Sequence, residues 1–292
     1  MTCLWIVILY SGLALYGEIL HRYYAWRDVT PAYSETNLNE QYRPPSFLMH
    51  PFTQAGSFSG GMHKLAHHPL GTDGLGRDVL ARLVQGTRIA FLVGIVTSLI
   101  AIPIGVILGC LAGYFGGRTD DFIVWLYSTF ASIPGLLFIL AIAMVVGKGL
   151  FGVYLGIGLT TWVGLCRLIR GEVIKHKQRP YVLAARALGL SHSRIIFRHI
   201  LPNVFHIVIV TFTLRFPAAI STEVFMSFLG IGVQGEPSWG VMISNARLRL
   251  WYGAWWEMTF VTIAIFLIVL AFNLLGDALR DALDPRLRTR EN

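Results

Sequence analysis

Apolar and polar positions alternate along this chain in long blocks, at the scale of membrane spans. Apolar runs cover residues 4–20, 89–115, 122–146, 151–166, 204–229 and from 255 or 256 to 275. Most of them approach or exceed the length of about 17–25 residues that crosses a hydrocarbon core. The pattern predicts an all-α integral membrane protein with about six transmembrane helices. Within the first run only Glu18 is charged, and the chain opens Met1-Thr2-Cys3 with no basic residue. A signal peptide would need a basic start and a small-residue cleavage site, so a retained first span is expected. Gly94, Gly105, Gly109 and Gly113 give the second run narrow faces for close helix packing. Pro134-Gly135 should kink the third. Gly116 to Asp121 and Gly147-Lys148-Gly149 read as short turns on either side of it.

Composition agrees with the pattern. The 292 residues are 54% hydrophobic and 14% charged, with a mean hydropathy of +0.60, whereas a soluble domain carries about 25% charged residues. The formal net charge of +8 could suit nucleic acid. Apolar spans separate the basic residues, however, and no single basic face forms. The excess also fits basic loops on the cytoplasmic side. Cys3, Cys110 and Cys166 lie in or beside apolar runs and form no Cys-x-x-Cys pair, which suits packing roles.

Between the fourth and fifth runs lies a polar island, rich in basic residues from Arg167 to Arg198. Its stretch from Tyr181 to Asn203 reads as two short helices with a bend. Tyr181, Ala184, Ala185 and Leu188 fall at helical spacing and predict one apolar stripe. Gly189 follows where a helix commonly ends in a left-handed residue. Ser191 can cap the second helix, whose buried side would hold Ile195, Ile196, His199 and Ile200, and Pro202 stops that helix or opens the next. By physics alone this could also be an ordinary helical hairpin or a DNA-binding helix-turn-helix. Ala184 and Ala185 offer no base-reading side chains, which weakens the second.

The spacing Ala184-Ala185-x-x-x-Gly189, followed by His199-x-Leu201-Pro202, resembles the cytoplasmic coupling loop of ABC-importer permeases. The family usually has Glu just before the two Ala, and Leu183 stands there in this chain. A second segment, Gly71-Thr72-Asp73 then Gly76-Arg77-Asp78, resembles the mark of the C-type permease of oligopeptide, dipeptide and nickel importers. Glu223-x-x-x-Ser227-Phe228-Leu229-Gly230, Pro237-Ser238-Trp239-Gly240 and the tail from Asn273 to Arg286 resemble further parts of the same family, in order. The apolar runs, with the resemblance over roughly Pro69 to Arg286, give a first span at 1–20, an extracytoplasmic loop at 21–86, a permease domain at 87–279 with its coupling loop at 167–202, and a cytoplasmic tail at 280–292. Also implied are a second related permease, two ATP-binding cassette subunits that use the ATP, an extracytoplasmic solute-binding protein, and a bacterial cytoplasmic membrane. Tyr181, Leu183, Ala184, Ala185, Gly189, His199, Leu201 and Pro202 would carry the coupling. No cofactor and no catalysis fall to this chain. Oligopeptides or dipeptides are the expected cargo, with nickel or another small solute as the alternative.

Charge sets the orientation. With the island cytoplasmic, alternation puts Arg118, Arg280, Arg286, Arg288 and Arg290 on the same side and leaves Lys148, Arg247 and Arg249 opposite. Both termini are then cytoplasmic, and Trp239, Trp251, Trp255 and Trp256 would sit at the outer interface.

Remaining motifs carry less. Arg215 and Glu223 lie inside the fifth run, about 80° apart around a helix, and are candidates for the translocation pathway. In an ion-coupled secondary transporter the same pair would bind ions, but that reading wants inverted repeats and broken helices that the sequence does not display. His63, His67 and His68 invite a metal reading. The flanking Gly60-Gly61 and Pro69, and the lack of an acidic or Cys ligand beside them, favour a solvated loop. Gly147-x-Gly149-x-x-Gly152 and Gly230-x-Gly232-x-x-Gly235 match a dinucleotide fingerprint by letter only, since neither opens a helix after a strand.

Overall fold

A computed structural model describes residues 2–48 and 68–283. Among them five helices are long and apolar enough to cross a membrane, or six if one sharply bent pair counts as a single span. Two compact units emerge. The first combines Met1–Leu92 with Glu223–Ala271, and the second Val93–Thr222 with Phe272–Asn292.

In the first unit, α1 (Thr2–Arg27) outruns the predicted run by a further two turns. Two single 3₁₀ turns, Leu38–Glu40 and Ser46–Leu48, are the regular structure that follows before residue 49. Helix α2 begins at Val79, ahead of the second apolar run, and continues to Phe115 as one helix of 37 residues. Its start buries Val79, Arg82 and Gln85, while Leu80 is exposed. Polar contacts explain the burial. Gln85 Nε2 donates to the Gly17 carbonyl at 3.2 Å, and Arg88 binds Glu18 at 2.7 Å and Glu236 at 2.6 Å. The polar position inside the first span is therefore an ion-pair partner of α2.

Two of the four tryptophans expected at the outer interface are packed inside the chain. Trp239, at the start of α10 (Trp239–Arg247), and Trp256, at the start of α11 (Trp256–Leu283), are both buried. Their indole N–H groups donate inward, to the Leu83 carbonyl at 3.2 Å and the Thr72 carbonyl at 2.9 Å. Trp251 is 91% exposed and Trp255 half so.

In the second unit the glycines of α2 set the packing. A Cβ at Gly105, Gly109 or Gly113 would lie 3.0, 2.8 and 2.8 Å from the carbonyl oxygens of Trp162, Cys166 and Arg170. These are matching i, i+4 rows on α2 and α6 (Val163–Lys177), so the two backbones touch along two turns. Gly94 makes the same kind of room for the Phe216 ring, which stacks on Phe272 at 4.3 Å.

The third apolar run is not one rod. Helices α3 (Gly117–Ala131) and α4 (Gly135–Val146) meet at 89° around Pro134. Proline lacks the N–H to continue a helix and pushes Ile133 out of the helical region, so the expected kink is a full corner. The expected turn at Gly116 to Asp121 is short: Arg118 to Asp121 already belong to α3, where Arg170 grips Asp120. The fourth run is α5 (Leu150–Thr160), which breaks at Thr161-Trp162 and resumes as α6 through the first half of the basic island. The fifth is α9 (Leu201–Phe228).

Candidate functional site

The island folds as the helix–bend–helix that its spacing predicts. Pro180 opens α7 (Pro180–Ala187) at a position where its missing N–H leaves no bond unmade. Gly189 has φ +73°, and two bonds close the helix end: the Gly189 amide donates to the Arg186 carbonyl at 2.9 Å and the Leu190 amide to the Ala185 carbonyl at 3.2 Å. This is a Schellman motif, and its usual apolar contact is present because Leu190 packs on the cluster that holds Ala185. After the bend, α8 (His192–Arg194) runs through a π-helical stretch, Ile195–Ile200, directly into α9. Ser191 sits at the N-cap position but makes no side-chain cap bond. Pro202 opens α9 rather than ending what precedes it.

Burial corrects the predicted stripe. Val182 and Ala185 face inward, joining Ile195, Ile196, Ile200, Tyr114, Ile169 and Val173 in one cluster. Tyr181, Leu183, Ala184 and Leu188 are exposed, Leu188 to 80%. Three apolar residues beside a slim Ala thus form an outward face on α7, while the second Ala belongs to the chain's own core. His199 and Leu201 are half-buried and Pro202 is exposed. The Tyr181 hydroxyl is 2.7 Å from His176 Nδ1, which ties the start of α7 to the end of α6.

The second motif is a compact knot in the first unit. Asp73 is buried; its Oδ1 accepts from the Leu75 and Arg77 amides at 2.8 and 3.0 Å and its Oδ2 from Arg77 Nε at 2.7 Å. Burial pushes the Asp73 carboxyl up, but the Arg77 guanidinium and these amides outweigh it, so the group titrates below the usual carboxylate range. Arg82 Nε lies 3.7 Å from the same carboxylate. Thr72 Oγ1 donates to the Glu40 carbonyl at 2.5 Å and accepts from the Arg43 amide at 2.9 Å. Gly71 and Gly76 both have positive φ, 81° and 72°. Asp78 does not join the Asp73 pair: it caps α2 through the Ala81 amide at 2.7 Å and meets His68 Nδ1 at 2.7 Å. That accounts for His68 without a metal, while His63 and His67 lie outside the described residues.

Arg215 and Glu223 each find partners near at hand. Arg215 donates to both the carbonyl and the hydroxyl oxygen of Thr161, at the break between α5 and α6. Glu223 is buried, and its Oε1 accepts from Ser227 Oγ at 2.6 Å, which in turn accepts from the Val233 amide at 2.9 Å. Sequence reasoning missed Thr161 and Arg88 as polar partners inside spans; the only signals were the Thr160-Thr161 pair and the lone Glu18.

Residues 105–289 match the family described as binding-protein-dependent transport system inner membrane component. The oligopeptide transport system permease protein OppC of Bacillus subtilis (strain 168) is 36% identical over 99% of this chain and 86% of that protein. The dipeptide transport system permease protein DppC of the same organism is 43% identical over 76% of this chain and 70% of its own. The glutathione transport system permease protein GsiD of Pectobacterium atrosepticum is 40% identical over 76% and 74%. Among solved structures, the inward-facing MetNI methionine ABC transporter aligns with a TM-score of 0.51 at 16% identity, over 69% of this chain and 96% of that one. An amino acid ABC transporter aligns at 0.53 and 13% identity, over 70% and 95%. These two share the fold. On the sequence matches, the chain belongs to the family of binding-protein-dependent transport system inner membrane components.

Proposed function

We propose that this chain is one membrane-spanning half of an ATP-driven peptide importer, and that the exposed face of α7 is where the ATP-hydrolysing subunit docks. The observation that carries the reading is how α7 is held. Its outer face of Tyr181, Leu183, Ala184 and Leu188 is exposed, while Val182 and Ala185 root it in the core. The Schellman turn fixes its angle to α8, and α8 continues without a loop into α9. A push on α7 is therefore passed, with no intervening loop, into the helical stretch that starts at His192. Closure of two ATP-binding cassette subunits on ATP would move it, and the spans would rock between inward and outward access.

Under this reading the chain binds no nucleotide and no nucleic acid. It pairs with a second related permease in a bacterial cytoplasmic membrane, receives its cargo from an extracytoplasmic solute-binding protein, and keeps both termini cytoplasmic. Peptide cargo is supported by relatives named for oligopeptide, dipeptide and glutathione transport, none of them named for nickel or for an ion-coupled cycle. Residues 71–78 would face the side from which cargo arrives, and Arg215 and Glu223 would act on the pathway through the elements they hold. Co-purification of the intact complex with mass spectrometry of partners and bound solute tests the assignment. Two ATPase subunits, a related permease and a peptide are expected. A chain that purifies alone and drives uptake on an ion gradient would refute it.

A further inference from the structure

We propose that the cavity beneath α7 is a binding site for a phosphate anion, supplied by an anionic lipid headgroup or by soluble phosphate. The cavity has a volume of about 350 Å³, and its wall includes Gly116, Asp120, Lys177, Leu183 and Arg186. The ends of α2 and α6, the first turn of α3 and one side of α7 line it, and it opens to the outside. Lys177 and Arg186 bring two positive charges. Both lie over the buried Tyr114 ring, at 6.0 and 5.0 Å from its centroid, and among the described residues neither has an acidic partner. Asp120 does not neutralise them, because Arg170 already holds both of its oxygens at 2.5 and 2.7 Å. Leu183 contributes hydrocarbon where a carboxylate would balance the pair.

The amino end of α3 opens on the same space. Its N-cap is Gly116, no side chain caps it, and a Cβ there would lie 3.9 Å from Lys177 Nζ. A helix start carries partial positive charge and unbonded amides, while the carboxyl ends of α2 and α6 in the same wall carry the opposite partial charge, so the two cations set the sign of the cavity. Like charges facing one cavity raise each other's energy, and an anion between them lowers it. The volume exceeds by several times what a lone water occupies, about 30 Å³. Ile174 and Leu183, both exposed, stand in its wall. A basic pocket at the ends of membrane helices, next to exposed apolar surface, has the chemistry that recognises an anionic headgroup. The site stands on this cavity alone and holds whether or not α7 docks an ATPase.

Native mass spectrometry of the delipidated full chain in detergent tests it, with phosphatidylglycerol, phosphatidylcholine and inorganic phosphate as probes. The unmodified chain should retain phosphatidylglycerol about tenfold more tightly than phosphatidylcholine, or bind inorganic phosphate saturably. The first result assigns the site to a headgroup and the second to a soluble anion. Both the double variant Lys177→Gln/Arg186→Gln and Leu183→Glu, which fills the wall with its own countercharge, should lose the effect while keeping their unfolding midpoints. If the unmodified chain and Leu183→Glu bind every probe alike, there is no anion site here.

Discussion

The Leu190 amide donates to the Ala185 carbonyl across the Gly189 bend, at 3.2 Å, and that bond fixes the direction in which α8 leaves α7. It exists only because Gly189 holds φ +73°. A Cβ at Gly189 would meet nothing within 4 Å, so the constraint there is backbone conformation and not space. Gly189→Val should cost about 1–3 kcal/mol, whereas Gly189→Asn, which tolerates the left-handed region, should cost less. Unfolding midpoints of the two variants decide; equal losses would mean that bulk and not φ matters.

Gly109 and Gly164 make the opposite comparison. Ala at a helical Gly gains about 1 kcal/mol of propensity. Gly164 has open space and should show that gain. A Cβ at Gly109 would stand 2.8 Å from the Cys166 carbonyl, which cannot yield without moving α6. Gly109→Ala should therefore lower the unfolding midpoint while Gly164→Ala raises it, as differential scanning fluorimetry would show.

Asp73 makes stability depend on pH. Its folded carboxyl titrates below the ordinary value, so its contribution is complete above the unfolded pKa of about 3.9. That contribution is lost as pH falls from there through the folded value. Asp73→Asn should be less stable at neutral pH, by about 3–5 kcal/mol as the broken partner of a buried pair, and should lose part of the acid dependence. Melting curves from pH 7 to pH 2 check both; parallel curves would assign the acid response elsewhere.

Much of this was legible in the chain. Long apolar runs gave the spans, because a bilayer demands continuous hydrophobicity and no tertiary context can hide it. Gly189 gave the bend, since few other residues take that conformation. The ends of helices were not legible. Residues 79–88 and 167–177 stay helical despite their charges because Arg88 and Arg170 find carboxylates on other segments, Glu18 and Asp120. Those pairs are remote in sequence and carry no local pattern. The face of α7 was misread for a related reason. Spacing grouped Ala184 with Ala185, and only the cluster around Val182 decides which of two small residues turns inward.

That difference separates folding from docking. Ala185→Trp puts an indole into a packed cluster and should cost about 1–3 kcal/mol or more, which an unfolding midpoint detects before any partner is added. Leu183→Glu, on the exposed face, should leave the midpoint unchanged within about 0.5 kcal/mol.

The most direct test of the account is solute-stimulated ATP hydrolysis by the reconstituted complex carrying Ala184→Trp. Ala184 is exposed on α7, so the variant should fold and insert as before. It should fail to couple, with hydrolysis no longer rising when loaded solute-binding protein is added. Stimulated hydrolysis at the unmodified level, with uptake intact, would mean that the outer face of α7 does not meet the ATPase.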